Sequence, residues 1–565
     1  MSLRSRDLSI LAMTLLATVV ALLAVFPLGM VVYGSFRSAA PGQAGFFTLS
    51  GYQAAFTDPA IGKALWTTLW LGMVRSFVSM ALAVFFCWAL VRTNMPLKGA
   101  IEFCLWINFF LPILPMTMGW VLLLDGTYGL VNTSIMKLFP FVTEAPFNIY
   151  SYGGIIWAHL AFGISVRVLM LAPAFRNMDP ALEEAGLMSG LSNFRTLTRV
   201  TFPLLIPAII GSTLLGFIKS LESFEVELLL GMPARIYVYS TKIYDMLRWE
   251  PPLYPPAMAL SSIFMLFVFA VVFMNRWLIT RRQYTTVSGK AFRPAPIRMG
   301  PWRWVLLGIC LLYLLIFTVA PLAVLVLGTF MKVSGMFNLP EPYTLDHWRT
   351  VLRDPLFFRS LINSLIMAGG AAGAGTLFFC LISYISIRTK IAGRGLLDFM
   401  TWLPWAVPGI LLAVGLLWAV LGSLPILAGL YGTLALLILA MIINQMPQGV
   451  RLMDGTMVQI GRELEESARV SGASWLYTFR RVLAPLLTPT FLATGIIIFL
   501  TALRDVSLVV LLYTPEWRVL SILMLEHYIG QSPEKGMVVG LIITALSLFM
   551  ALVAKALGMR LAMSE

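Results

Sequence analysis

Apolar runs alternate with short polar segments along the whole chain, and twelve of the runs approach the roughly 20 residues that cross a hydrocarbon core of about 30 Å. In the first half they cover 9–33, 64–91, 101–124, 153–172, 203–221 and 257–278. In the second they cover 304–330, 361–387, 396–421, 430–446, 486–503 and 537–557. The pattern predicts an all-α polytopic membrane protein with about twelve spanning helices.

The polar segments carry a duplication. LEEAGLMSGLSNFRTLTRVTFPLLIP at 182–207 is matched without a gap by LEESARVSGASWLYTFRRVLAPLLTP at 464–489, with Glu184 and Glu466, Gly190 and Gly472, and Pro207 and Pro489 each 282 positions apart. VRTNMPLKGAIEF from Val91 pairs with IRTKIAGRGLLDF from Ile387, so Arg92 matches Arg388, Gly99 matches Gly395 and Pro112 matches Pro408, here 296 apart. The smaller offset fits the loop 125–152, whose counterpart after Leu421 is much shorter. A repeat at half the chain length marks a fused duplication. Six helices per repeat make the halves parallel, related by an axis along the membrane normal. The chain divides into a first domain, 1–280, a basic linker, 281–302, and a second domain, 303–565.

Composition excludes a soluble globular protein: 12% of residues are charged against the usual 25% or so, 59% are hydrophobic, and the mean hydropathy is +0.87. Cys87, Cys104, Cys310 and Cys380 lie inside apolar runs as small hydrophobes. Without a CxxC or Cys/His cluster, neither a disulfide framework nor a metal site is expected. The scattered His159, His347 and His527 do not change that expectation.

Charge sets the orientation. With both termini in the cytoplasm, most of the 40 Lys and Arg fall on inner segments. They concentrate in and beside the linker, where Arg276, Arg281, Arg282, Lys290, Arg293, Arg298 and Arg303 would meet anionic lipid headgroups. A nucleic-acid patch is disfavoured, since no aromatics interleave and two spanning helices flank it. Arg4 and Arg6 precede a run longer than a secretory-signal core, so 9–33 reads as a retained first span.

In this topology both copies of the repeat lie in the cytoplasm between a fourth and a fifth helix. Asp179 and Pro180 begin a short helix whose first turn carries Glu183 and Glu184 at its positive end. Gly190 then breaks it. Leu187, Leu191 and Phe194, with Val470 and Trp475 in the second copy, give the elbow an apolar side suited to a partner's groove. The plainer reading is a connector lying on the bilayer surface, which two ungapped copies disfavour.

Charges inside the spans are costly and mark either structural pairs or a path. Arg75, Arg167 and Lys219 should face the bundle interior or an interface, with structural pairing the plainer reading. SLESFEVELLLG at 220–231 aligns with ALRDVSLVVLLY at 502–513, placing Glu222 and Glu225 opposite Arg504 and Ser507. This loss of symmetry is expected where a solute passes. Glu222, Glu225, Arg504, Asp505 and Arg75 are therefore the candidate path residues, although the three glutamates near 222–227 also suit helix capping or receptor binding. Tyr237, Tyr239 and Tyr244 read as an interfacial belt. Gly370 and Ala374, or Gly369 and Gly373, read as close helix-packing positions.

The pattern Glu-Ala-Ala, three residues, Gly, nine residues, Ile-x-Leu-Pro resembles the signature loop of permease subunits of bacterial type I binding-protein-dependent ABC importers. Here it reads Glu184-Ala185-Gly186, Gly190 and Val200 to Pro203 within the loop 179–203. It recurs as Glu466-Ser467-Ala468, Gly472 and Val482 to Pro485 within the loop 461–485. The resemblance covers nearly the whole chain and is nearest to fused ferric iron permeases, with thiamine, polyamine and phosphonate permeases as relatives. It implies that Glu183, Glu184, Ala185, Gly186, Gly190 and Pro203, with Glu465, Glu466, Ser467, Ala468, Gly472 and Pro485, couple the chain to two cytoplasmic ATPase subunits. ATP and Mg would be bound by those subunits, with no cofactor in this chain. One periplasmic solute-binding protein would dock on the outer face of a single fused chain in the bacterial inner membrane. No GxxxxGK[ST] loop is present, so no catalytic residue is expected here. The rival class is an ion-driven secondary transporter with the same length and parallel repeats.

Overall fold

The computed structural model describes residues 13–281, 296–423, 425–530 and 532–557. The chain ends and most of the linker, including Arg4, Arg6, Arg282, Lys290 and Arg293, lie outside the described residues. Eighteen principal helices fall into two sets of nine in the same order. In the first half they are α1 (Met13–Ser35), α2 (Pro59–Arg92), α3 (Lys98–Phe110), α4 (Ile113–Leu124), α5 (Tyr152–Arg176), α6 (Pro180–Met188), α7 (Leu197–Leu221), α8 (Tyr239–Arg248) and α9 (Tyr254–Met274). Their counterparts are α10 (Trp302–Gly328), α11 (Pro355–Arg388), α12 (Arg394–Trp405), α13 (Gly409–Leu421), α14 (Leu434–Gln459), α15 (Glu463–Val470), α16 (Trp475–Arg504), α17 (Leu520–Ile529) and α18 (Pro533–Ala556). Among the described residues, β-structure is limited to three isolated bridges.

Ten of these helices are long and apolar enough to cross a membrane singly. The third span of each half, expected over 101–124 and 396–421, is broken: α3 and α4 meet at 102°, α12 and α13 at 113°. The repeated proline explains the break, because the residue before a proline is driven out of the helical region. Leu111 and Val407 accordingly sit extended, at ψ 129° and 111°. The first bent pair still crosses the bundle. Arg176 at the end of α5 holds Glu102 in α3 at 2.8 Å, while the Leu124 carbonyl at the end of α4 accepts the Ile149 N–H just before α5 begins. That pair therefore runs the full height beside α5; with each bent pair counted as one span, the described residues hold twelve.

Prolines leave a second signature. Pro27, Pro203, Pro321 and Pro485 each follow a π-helical turn, at Ala21–Val25, Leu197–Thr201, Leu315–Val319 and Phe479–Leu483. A proline ring crowds the carbonyl four residues back and offers no N–H to it. Widening that turn relieves the clash without breaking the helix. This lets α7 and α16 start at Leu197 and Trp475, earlier than the expected 203 and 486.

The halves interlock through their first helices. The far part of α1 packs on α13, and that of α10 packs on α4, each beyond its own half. A Cβ on Gly415 would lie 2.6 Å from the Pro27 carbonyl oxygen, and one on Gly119 would strike the Pro321 carbonyl. Phe317 of α10 continues the contact, 4.4 Å from the Trp157 ring and 5.9 Å from that of Trp120. Replacing Gly119 or Gly415 by Leu should lower stability by about 1–3 kcal/mol through overpacking, read as a lower Tm in detergent. Gly370 likewise faces Ile438 closely, whereas Gly369 and Gly373 face open space and are not packing positions.

Candidate functional site

The two elbows close the same way, although only the first opens on a side-chain cap. The Asp179 carboxylate accepts the Ala181 N–H at 2.9 Å and opens α6. At the other end the Leu191 N–H reaches the Gly186 carbonyl at 3.1 Å and the Gly190 N–H reaches that of Leu187 at 3.0 Å. This Schellman closure requires a left-handed residue, and Gly190 supplies it at φ +83°. In α15 the Ala473 N–H reaches Ala468, the Gly472 N–H reaches Arg469, and Gly472 has the same φ of +83°.

The two acidic positions divide their tasks. Glu183 turns inward, accepting the Thr201 hydroxyl at 2.6 Å and lying 3.5 Å from the buried Arg92 guanidinium at the end of α2. Glu465 repeats the contact, with Arg388 at 3.2 Å and the Tyr384 hydroxyl at 3.2 Å. Arg92 and Arg388 also donate to the carbonyls of Met178 and Ile460. Each elbow is thereby fixed to the second helix of its own half. Glu184 and Glu466 are exposed, as are Ala185 and Ser467; Gly186 is buried against Thr196 and Val200, and Ala468 is half-buried. Pro203 and Pro485 face outward, each just after the π-helical turn of the next helix. The outermost apolar residues are Met188 and Val470, 282 positions apart and both 89% exposed. Met188 is not among the sequence candidates; its matching position to Val470 was the available signal.

The candidate path residues gather where α7 and α16 end. Lys219 pairs with Glu222 at 2.8 Å and its ammonium lies 5.9 Å from the centre of the Trp405 ring at the α12 corner. Arg504 donates to the Phe109 carbonyl at 3.3 Å at the α3 corner, and its guanidinium lies 6.0 Å from the Phe162 ring centre. Each half thus sends one cation to the bend of the other. Between them, the Glu225 carboxylate accepts the Ser507 N–H across the seam, close to Asp505. Burial, then the Asp505 charge, push Glu225 up to about 7. Burial pushes Asp505 up to about 6, against the opposing bond from the Leu508 N–H.

Arg75 is not free in this region. It lies 2.5 Å from Glu227, whose side chain is fully buried, and donates to the Ser220 carbonyl and the Ser223 hydroxyl. His159 completes the group at 3.2 Å from Glu227. Arg167, also buried, donates to Ser76 and to its own helix at Gly163. Tyr239 and Tyr244 are core residues and not an interfacial belt. α8 folds back into the bundle, its Tyr239 N–H bound to Thr68 and its ring stacked on Phe264 at 3.5 Å.

Comparison with known proteins fits this architecture. The family model of the binding-protein-dependent transport system inner membrane component matches residues 379–562. The ferric transport system permease FbpB 1 of Haemophilus influenzae is 30% identical over 468 residues, covering 81% of this chain and 71% of that protein. FbpB of Actinobacillus pleuropneumoniae is 28% identical, over 83% of this chain and 66% of its own length. One chain of a bacterial alginate ABC transporter, solved with its pentasaccharide-bound periplasmic protein, aligns over 47% of this chain and 99% of its own at 19% identity and a TM-score of 0.39. The chain belongs to the family of binding-protein-dependent transport system inner membrane components, the permease subunits of type I ABC importers.

Proposed function

We propose that this chain forms the translocation path of an importer for ferric iron, with the elbows α6 and α15 facing the cytoplasm and docking on two ATPase subunits. One periplasmic receptor delivers the solute to the opposite face. The observation that carries the coupling role is the pair of identically closed elbows, each with Met188 or Val470 as its most exposed large apolar residue, and each bound by a buried arginine to a spanning helix. Cysteine placed at Met188 and at Val470 is expected to cross-link to the ATPase subunits in the assembled transporter. An ion-driven carrier would give no such product and would transport without ATP.

The identity of the solute is supported by the ferric permeases to which the chain is similar, and by the carboxylates Glu225 and Asp505 meeting at the seam. ATP-dependent uptake of radioactive iron into proteoliposomes holding the receptor and ATPases tests it, with thiamine, a polyamine and a phosphonate as competitors. Uptake of one of these instead overturns the assignment. With Glu225 near 7 and Asp505 near 6, both are largely protonated at pH 5 and ionised at pH 8. A cation gains attraction as protons leave, so uptake should rise through pH 6–7.5. Glu225→Gln and Asp505→Asn together should flatten the rise. Arg504, Lys219, Glu222 and Glu227 are the other charges facing this point.

A further inference from the structure

The anchor of the first elbow has a further backbone partner. At the end of α2 the chain leaves the helix at Thr93 and pairs in parallel with Ile297, from the segment that leads into α10. The Ile297 N–H donates to the Arg92 carbonyl at 2.8 Å, the Asn94 N–H donates to the Ile297 carbonyl at 3.1 Å, and the Met299 N–H donates to the Asn94 side-chain oxygen at 2.9 Å. Arg92 is the residue whose guanidinium holds Met178 and Glu183 of the first elbow. Three residues further on, the Met299 carbonyl accepts the Trp302 N–H and α10 begins. Backbone bonds therefore connect the first elbow's anchor to the first helix of the second half.

The described residues show no equivalent at the second elbow. Among the described residues, the backbone at 388–390 meets no second strand, and the Thr389 carbonyl is taken by the Arg394 side chain at 2.8 Å. Lys390 stands where Asn94 stands in the first half.

We propose that residues 296–299 are a strap that positions the first elbow, with Asn94 and Ile297 as its positioning residues, so that displacement of α6 is carried directly into α10. This rests on the docking of α6 on an ATPase. A helix anchored only through a long arginine side chain yields before it transmits force. Three backbone-involving bonds, one at that arginine and two at Asn94, remove the slack. Through the strap, α6 moves α2 and α10 together.

The test uses the complete transporter in proteoliposomes and reads solute imported per ATP hydrolysed. Asn94→Ala and, independently, Ile297→Pro each remove one donor–acceptor pair of the strap. The ratio is expected to fall about fivefold in each, the factor matching one hydrogen bond's net contribution, with ATPase subunits still bound and hydrolysis continuing. Asn94→Asp retains the acceptor oxygen and should keep the ratio near that of the unaltered chain. An unchanged ratio in both Asn94→Ala and Ile297→Pro overturns the strap alone, as does an equal loss in Asn94→Asp. Failure of cysteine at Met188 to cross-link to an ATPase in the otherwise unaltered transporter overturns the docking reading, and the strap's role with it.

Discussion

Replacing Gly190 and Gly472 together by Val is expected to abolish ATP-driven import while leaving the chain inserted and the ATPase subunits hydrolysing without control. A Cβ at either position would meet nothing within 4 Å, so crowding is not the cause. The cause is the backbone. Both residues hold φ at +83°, a region costing an ordinary residue about 1–2 kcal/mol and a β-branched one more. Relief comes by abandoning the Schellman closure, which re-aims the chain after α6 and α15 and shifts the exposed Met188 and Val470. Asparagine tolerates the left-handed region, so Gly190→Asn with Gly472→Asn should retain most import. Import by the Val variant at the unaltered rate would show that the elbow's exit angle has no part in coupling.

Arg75→Leu is expected to be the most destabilising single substitution in the first half. Glu227 is fully buried and would lose its guanidinium partner, keeping only His159 and the Ser223 hydroxyl. Stranding one member of a buried pair costs about 3–5 kcal/mol. Removing both members is far milder, because apolar side chains of similar volume replace a buried pair at little cost. The second half supplies the precedent: the repeat positions of Arg75 and Glu227 are Ala371 and Val509, both buried and apolar. A double-mutant cycle with Arg75→Leu, Glu227→Leu and the pair, followed by thermal unfolding in detergent, should show the double variant more stable than Arg75→Leu. Additive losses would mean that the two side chains do not act as a pair.

Length and hydropathy were enough to place twelve spans, because crossing a bilayer demands a fixed run of apolar residues whatever the tertiary contacts. They misjudged the ends of α14 and α16, where polar residues such as Arg451 and Arg480 continue a helix beyond the apolar core. Pro112 and Pro408 were visible as repeat positions, but the bends of 102° and 113° depend on which neighbours accept the corner. The elbows were legible because their geometry is local, a cap, an acidic turn and a left-handed glycine. The role of Arg92 and Arg388 was not, although their recurrence was plain, since nothing in the spacing says that they reach Glu183 and Glu465. Glu227 was hidden among three nearby glutamates. Comparing the halves position by position distinguishes it, because its partners His159 and Arg75 also lack counterparts, Met441 and Ala371 occupying their places.

The crossing of α1 onto α13 sets an order of events during synthesis. Pro27 emerges early, yet Gly415, the surface it rests on, is made nearly four hundred residues later, roughly 20–80 s at ordinary translation speeds. Until then the outer part of that first helix faces lipid or a helper protein, and the nascent chain stays open until its second copy arrives to close it.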